Sequence, residues 1–186
     1  MSFIGFKSWI SKRLPAREQV IAVYGVIVFL VYGWTIYWYL WKLPSWLYFM
    51  TLDELLVTYS YAQVVNIMES LLVLLVPIMV GFILPHRWFI EKFVSRGVTL
   101  IILLLVALMN YLNIITALQG FPPGLPWMIL ATLAVMIVVV FLAGYIPIFR
   151  KVMEEIGNRA TIFLYIFLPV SAISILVIFI RNVMRL

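Results

Sequence analysis

Long apolar runs alternate with short polar segments along this chain. Five of the runs are long enough to cross a bilayer, because a transmembrane helix needs about 20 predominantly apolar residues. The predicted spans cover residues 20–41, 61–84, 98–118, 127–149 and 161–180. The pattern therefore predicts an all-α fold, a polytopic membrane protein in which residues 20–186 form one domain, a bundle of five transmembrane helices.

Local sequence signals predict where several of these helices begin and end. In TLDE, Thr51 is followed three residues later by Glu54 and then by an apolar run, which is the pattern of a capping box. Span two is therefore expected to start as a helix at Thr51, outside the bilayer, and to continue inward. Pro77, Pro147 and Pro169 are each expected to kink or end a span, because proline lacks the N–H group that a helix uses.

Residues 1–19 are expected to form a separate cytoplasmic segment. Aromatic residues recur at three-residue intervals in FIGFKSWISKRLP, so they would share one face of a helix. This spacing predicts a short amphipathic helix lying in the membrane interface. The next run is too long and too rich in Trp and Tyr for a cleavable signal peptide, so we expect it to remain as an anchor. The interface anchors of the amphipathic helix would be Phe3, Phe6, Trp9, Lys12 and Arg13.

Composition narrows the function classes. Hydrophobic residues make up 66% of the chain and charged residues 11%, too few to cover a soluble domain of this length. The absence of cysteine excludes disulfides, thiolate nucleophiles, iron–sulfur clusters and zinc–thiolate sites. The single histidine, His86, excludes a haem held by two histidines of this chain. We find no G-x-S-x-G, H-E-x-x-H or P-loop motif, and we predict no catalytic residue, metal site or resident cofactor; a bound lipid or quinone is left open.

The chain has a net charge of +6, and the positions of its Lys and Arg residues are typical of a membrane-topology signal rather than of a nucleic-acid-binding patch. If the spans alternate in direction, ten of the 13 Lys and Arg residues fall on one side, in the N-terminal segment and in the loops HRWFIEKFVSRG and RKVMEEIGNR. Lys42, Arg181 and Arg185 fall on the other side. We therefore predict a protein integral to a cell membrane, with its N terminus in the cytoplasm and its C terminus on the outer side. A re-entrant fifth span would instead place both termini in the cytoplasm.

A single carboxylate, Glu69, lies within the apolar run of span two, and a charged group at membrane depth marks a candidate functional site. Polar residues recur every three positions beside it, and they do the same on span three. Because a short loop joins these spans, we expect antiparallel neighbours whose polar rows face each other. Glu69 would then lie near Asn110 and Asn113, and Asn66 near Thr116. The candidate cluster is Thr35, Gln63, Asn66, Glu69, Asn110, Asn113, Thr116 and Ser174.

This cluster has two interpretations. As helix packing, a protonated Glu69 would donate to Asn110 or Asn113, and each such bond would contribute about 0.6–2 kcal/mol. As a binding site, Glu69 would take a proton, a cation or the head of a quinol-like ligand in a polar cavity. The Trp-rich stretch WTIYWYLW is expected to belong to an outer aromatic belt, with a chromophore or quinone cradle as the alternative.

We expect a non-catalytic integral membrane subunit that packs into a larger membrane assembly, because the chain has almost no extramembrane mass. The expected partners are the lipid bilayer and other membrane subunits or further copies of this chain, and not nucleic acid. The alternative is a small proton- or cation-coupled transporter or channel, a homo-oligomer that uses Glu69. A lipid- or quinone-binding membrane enzyme subunit is the third hypothesis, weakened by the lack of an acid–base pair.

Overall fold

The computed structural model describes residues 14–184, and within that range it is helical and contains no strand. The predicted amphipathic helix, with Phe3, Phe6, Trp9, Lys12 and Arg13, lies outside the described residues. A short 3₁₀ turn, Ile90–Lys92, separates the third and fourth α-helices. The α-helices are α1 (Arg17–Trp46), α2 (Leu52–Ile83), α3 (His86–Phe89), α4 (Phe93–Leu118), α5 (Leu125–Tyr145), α6 (Pro147–Ala160) and α7 (Ile162–Met184).

Five helical stretches in the described part of the chain are long and apolar enough to cross a membrane. This confirms the predicted all-helical architecture with five apolar helices, and the five predicted spans coincide with these stretches except at their ends. The stretches are Arg17–Trp46, Leu52–Ile83, His86–Leu118, Leu125–Tyr145 and Pro147–Met184.

The start of α2 is the predicted capping box. Thr51 is in an extended conformation, and its backbone N–H donates to Oε2 of Glu54 at 2.9 Å. This bond satisfies one of the donors that every helix N-terminus leaves free. The helix then continues through the buried Pro77 to Ile83, so the start predicted from TLDE is confirmed.

The fourth predicted span was too long at its C-terminal end. The helix α5 ends at Tyr145, and the expected loop at residues 150–159 is part of the helix α6. Ile146 is extended (ψ 116°), because the residue before a proline is biased away from helical dihedrals, whereas Pro147 suits the first position of a new helix. Exposed ion pairs at i, i+4 spacing, Arg150–Glu154 and Arg159–Glu155, lie on the polar face of α6.

The helix α1 is the centre of the bundle and packs against α2, α4, α6 and α7. Its buried face, which includes Val23, Ile27 and Tyr32, forms much of the hydrophobic core. By contrast, within residues 14–184 the extensive contacts of α5 are with its neighbours α4 and α6 only. The buried residues of α5 are Ala143 and Gly144. Most of its other side chains are exposed, although Met136 and Val140 pack against the core.

Contacts between successive helices define the two ends of the bundle. At one end, Nζ of Lys92 donates to the carbonyl oxygen of Gly144 at 2.6 Å. At the other end, Oη of Tyr39 donates to the carbonyl oxygen of Leu55 at 3.0 Å. We call the first the basic end, because it contains Lys92, Arg96, Arg150 and Lys151.

Candidate functional site: a groove between three helices

A long groove of about 680 Å³ runs between α1, α2 and α4. Its lining on α1 extends from Val31 to Trp46 and on α2 from Thr58 to Val73. Fifteen residues of helix rise by about 22 Å, so the groove follows the helices over much of the thickness of a bilayer. Its polar and aromatic lining residues are Trp34, Thr35, Trp38, Tyr39, Lys42, Trp46, Thr58, Asn66 and Glu69.

Aromatic rings of α1 form one wall of this groove. The rings of Trp34 and Trp38 meet edge to face with centroids 5.8 Å apart, and those of Tyr39 and Trp46 do so at 5.5 Å. Nζ of Lys42 lies 6.0 Å from the ring centroids of Trp38 and Trp46, within cation–π range. The wall therefore offers ring faces and one cation, the combination that holds apolar or aromatic groups in place.

Trp34 and Trp38 also border a second cavity of about 550 Å³, whose lining includes Asn113 on α4. Both tryptophans are half-buried, whereas Trp41 is 69% exposed. The stretch WTIYWYLW, predicted as an outer belt, thus places two of its tryptophans between cavities. Trp41 also lines the second cavity, but most of its surface is exposed.

The polar floor of the groove joins α1 to α2. Oγ1 of Thr35 donates to Oδ1 of Asn66 at 2.8 Å, and the Asn66 side chain is 2% exposed. Nδ2 of Asn66 has no hydrogen-bond partner among residues 14–184, and neither Nε2 nor Oε1 of the fully buried Gln63 has one. Two amides one turn apart on α2 therefore keep unused hydrogen-bonding capacity at this level of the bundle.

Glu69 continues this row on α2, one turn beyond Asn66, and its side chain is exposed and lines the groove. It is 14 residues from the end of α2 at Ile83, a rise of about 21 Å, which places it deep within the apolar part of the helix. Within this chain, Glu69 is therefore not enclosed by polar partners as the helix-packing interpretation expects. The carboxyl group faces the open side of the groove, where it can accept or donate a hydrogen bond or bind a cation.

The predicted pairing of polar rows on spans two and three is not what the structure shows. Nδ2 of Asn110 donates to the carbonyl oxygen of Val106 at 2.9 Å, and Oγ1 of Thr116 donates to that of Leu112 at 2.7 Å. Both side chains thus satisfy themselves within α4, as short polar side chains in helices commonly do. Asn113 is exposed in the second cavity.

The positions of the helices explain this difference. The helix α2 packs mainly against α7 and α1, while α4 packs against α1, α5 and α6. The connection between α2 and α4 forms α3 and the 3₁₀ turn, and its buried Phe89 and Ile90 pack near Gly81 at the end of α2. The connection thus occupies space at the end of α2, and α1 rather than α4 meets the polar row of α2.

Other interhelical bonds involve residues outside the predicted polar cluster. Oη of Tyr32 and Oγ of Ser171 are 2.8 Å apart in the buried core between α1 and α7, and Tyr24 and Ser70 are 3.3 Å apart. Ser174, which was selected, is buried but donates to the carbonyl oxygen of Val170 in its own helix. Because Trp and Tyr are frequent throughout α1, the sequence did not distinguish tyrosines in the core from tyrosines at the membrane interface.

Comparisons with protein-family models, with curated proteins and with solved structures find no match to this chain. Within the described range, no group of three or more His, Asp or Glu side chains is placed to hold a metal ion. The groove that contains Thr35, Asn66 and Glu69 is the candidate site.

Proposed function

We propose that this chain is a non-catalytic integral membrane subunit, and that its groove receives a transmembrane helix of another membrane protein. The five apolar helices fit insertion into a membrane. In this proposal the basic end lies in the cytoplasm, since Lys and Arg accumulate on that side of membrane proteins. The C terminus of α7 then lies on the outer side.

The position of Glu69 supports this proposal most directly. An exposed carboxyl group about 21 Å from the end of a transmembrane helix would otherwise face hydrocarbon, which is energetically costly. A neighbouring helix removes that cost if it presents a polar side chain to Glu69 and Asn66. The groove also has the length of a membrane-crossing contact, and rows of side chains on one helix pack into such grooves on others.

The exposed surface of α5 does not require a protein partner. Only Ala143 and Gly144 of this helix are buried inside the chain, and Leu130, Val135 and Ile137 are each more than half exposed. Lipid alone can cover such a surface, whereas it cannot satisfy the polar floor of the groove. The groove and not α5 is therefore the proposed contact.

Site-specific photo-crosslinking tests the proposal. A benzophenone side chain at Leu72, a groove residue that is 61% exposed, should link this chain to a different membrane protein in native membranes. The matched control is Val135, which is 60% exposed on α5. If Leu72 gives no protein adduct beyond what Val135 gives, the proposed contact is wrong.

Substitutions at Glu69 define what the partner contacts. Glu69→Gln keeps a hydrogen-bonding side chain of similar size, so co-purification of the partner from mild detergent should be preserved. Glu69→Leu removes the polar group and should release the partner, because it leaves the partner's polar side chain without a bond. Equal retention by both variants would contradict a contact at Glu69.

A second candidate, a small proton- or cation-coupled transporter that acts as a homo-oligomer, is favoured by the carboxyl group itself. Hydrogen bonding between helices requires only an amide, whereas a carboxylate can also carry a charge. If the chain is such a homo-oligomer, the crosslink from Leu72 should join two copies of this chain. Proton- or cation-driven flux into proteoliposomes should disappear with Glu69→Gln and persist with Asn113→Ala in the second cavity.

A further inference from the structure

A third cavity, of about 440 Å³, opens at the basic end between the 3₁₀ turn, the end of α5 and the start of α6. We call it the basic pocket. Three cationic side chains line it, and one carboxylate, Glu154, offsets one of their charges, which leaves two positive charges in excess. The lining residues are Lys92, Gly144, Tyr145, Pro147, Arg150, Lys151 and Glu154.

Two of the three cations have defined partners. Nζ of Lys92 donates to the carbonyl oxygen of Gly144 at 2.6 Å and lies 5.6 Å from the ring centroid of Tyr145. Nε of Arg150 lies 2.9 Å from Oε1 of Glu154. Lys151 makes no ion pair with any residue in the range 14–184. Its charge is therefore available to an anion that enters the pocket.

A further cation lies behind the pocket. Arg96 on α4 is 5% exposed, and its guanidinium group fills the space beside Gly144 where a side chain would otherwise lie. Nε of Arg96 is buried and has no hydrogen-bond partner within the described chain. Because a buried charge is poorly screened, Arg96 adds to the positive potential at the wall that Gly144 forms.

We propose that the basic pocket binds a phosphate group with a net negative charge. This phosphate belongs to a phospholipid headgroup in which no amine offsets its charge, or it is free in solution. Basic pockets between membrane helices on the cytoplasmic side suit anionic headgroups. Tyr145, Ile148 and Trp88 around this end are 70%, 78% and 60% exposed, so acyl chains would find apolar surface beside the pocket. The inference does not depend on the groove, which lies between other helices.

The test uses the full chain in a zwitterionic detergent. Native mass spectrometry compares the retention of phosphatidylglycerol with that of phosphatidylcholine, whose phosphate is offset by an amine. Lys151→Gln removes one charge from the pocket, whereas Arg159→Gln removes one from the same helix outside it. Lys92 is not substituted, because its ammonium group also caps the end of α5.

Phosphatidylglycerol is retained more tightly than phosphatidylcholine, and Lys151→Gln weakens its binding by about fivefold, while Arg159→Gln does not. Glu154→Gln strengthens binding, because it removes the negative charge of the pocket. Equal effects of Lys151→Gln and Arg159→Gln, or equal retention of both lipids with no binding of phosphate, would overturn the proposal.

Inorganic phosphate distinguishes the two sources. If the lipid is the ligand, excess phosphate leaves phosphatidylglycerol bound, because the apolar surface near Tyr145 and Ile148 contributes to its retention. If free phosphate is the ligand, its ³¹P resonance shifts or broadens with the unmodified chain and does so less with Lys151→Gln. Lipid retention or a ³¹P effect that is weakened by Lys151→Gln supports a phosphate site, and the absence of both contradicts it.

Discussion

The backbone of Gly25 on α1 lies directly against that of Ala160 at the end of α6. A Cβ atom on Gly25 would lie 2.8 Å from the carbonyl carbon and oxygen of Ala160 and 2.8 Å from the backbone nitrogen of Thr161. Small residues allow membrane helices to approach this closely. The contact holds the junction between α6 and α7 against the central helix.

Gly25→Ala should therefore destabilise the bundle by about 1–2 kcal/mol, since overpacking against backbone cannot be relieved by a change of rotamer. Gly33→Ala is the matched control in the same helix, because a Cβ at that position would meet no atom within 4 Å beyond the adjacent backbone of its own helix. It should leave stability unchanged or raise it by up to about 1 kcal/mol through helix propensity. Thermal unfolding in mild detergent measures both, and a Gly25→Ala variant as stable as Gly33→Ala would refute the close contact.

The bond between Thr35 and Asn66 predicts a second effect. Thr35→Val keeps the shape of the side chain but removes the donor to Asn66, at a cost of about 0.6–2 kcal/mol. Thr116→Val is the control, because the hydroxyl of Thr116 bonds only to the carbonyl oxygen of Leu112 in its own helix. The difference between the two unfolding temperatures isolates the interhelical bond, and equal losses would argue against it.

Gln119 ends α4 in the left-handed region with φ 52°. Glycine adopts this conformation without steric cost, so Gln119→Gly should stabilise the fold by about 0.5–1 kcal/mol. Gln119→Ala should give no gain, because alanine keeps the Cβ atom that opposes this conformation. Unfolding midpoints in which the alanine variant equals or exceeds the glycine variant would count against the observed turn.

Single cysteines test the proposed orientation, since the chain contains none of its own. Gly124, between α4 and α5, is exposed and has open space around its Cβ position, and Asn182 near the end of α7 is exposed as well. Gly124→Cys and Asn182→Cys should react with an impermeant thiol reagent in intact cells. His86→Cys at the exposed start of α3 should react only after permeabilisation, and the reverse pattern would invert the proposed topology.

The predicted pairing of polar residues shows what a sequence of this kind leaves undecided. The helix α2 is apolar on nearly all sides, so its hydrophobic pattern does not determine which face turns toward which neighbour. Thr35, Asn66 and Glu69 were all selected as candidates, but Asn66 was matched with Thr116 instead of Thr35. The rotation of each helix about its axis depends instead on how it packs against its neighbours.

The sequence by itself determined the five apolar helices, the start of α2 at Thr51 and the accumulation of basic residues in two connections. Each of these depends on residues close together in the chain, through apolar length, a capping bond or charge count. Only the tertiary structure decided that Glu69 faces an open groove and that Lys92 and Arg96 meet Gly144. Those contacts join residues about 50 positions apart, and they depend on how neighbouring helices fill the space around α1 and α4.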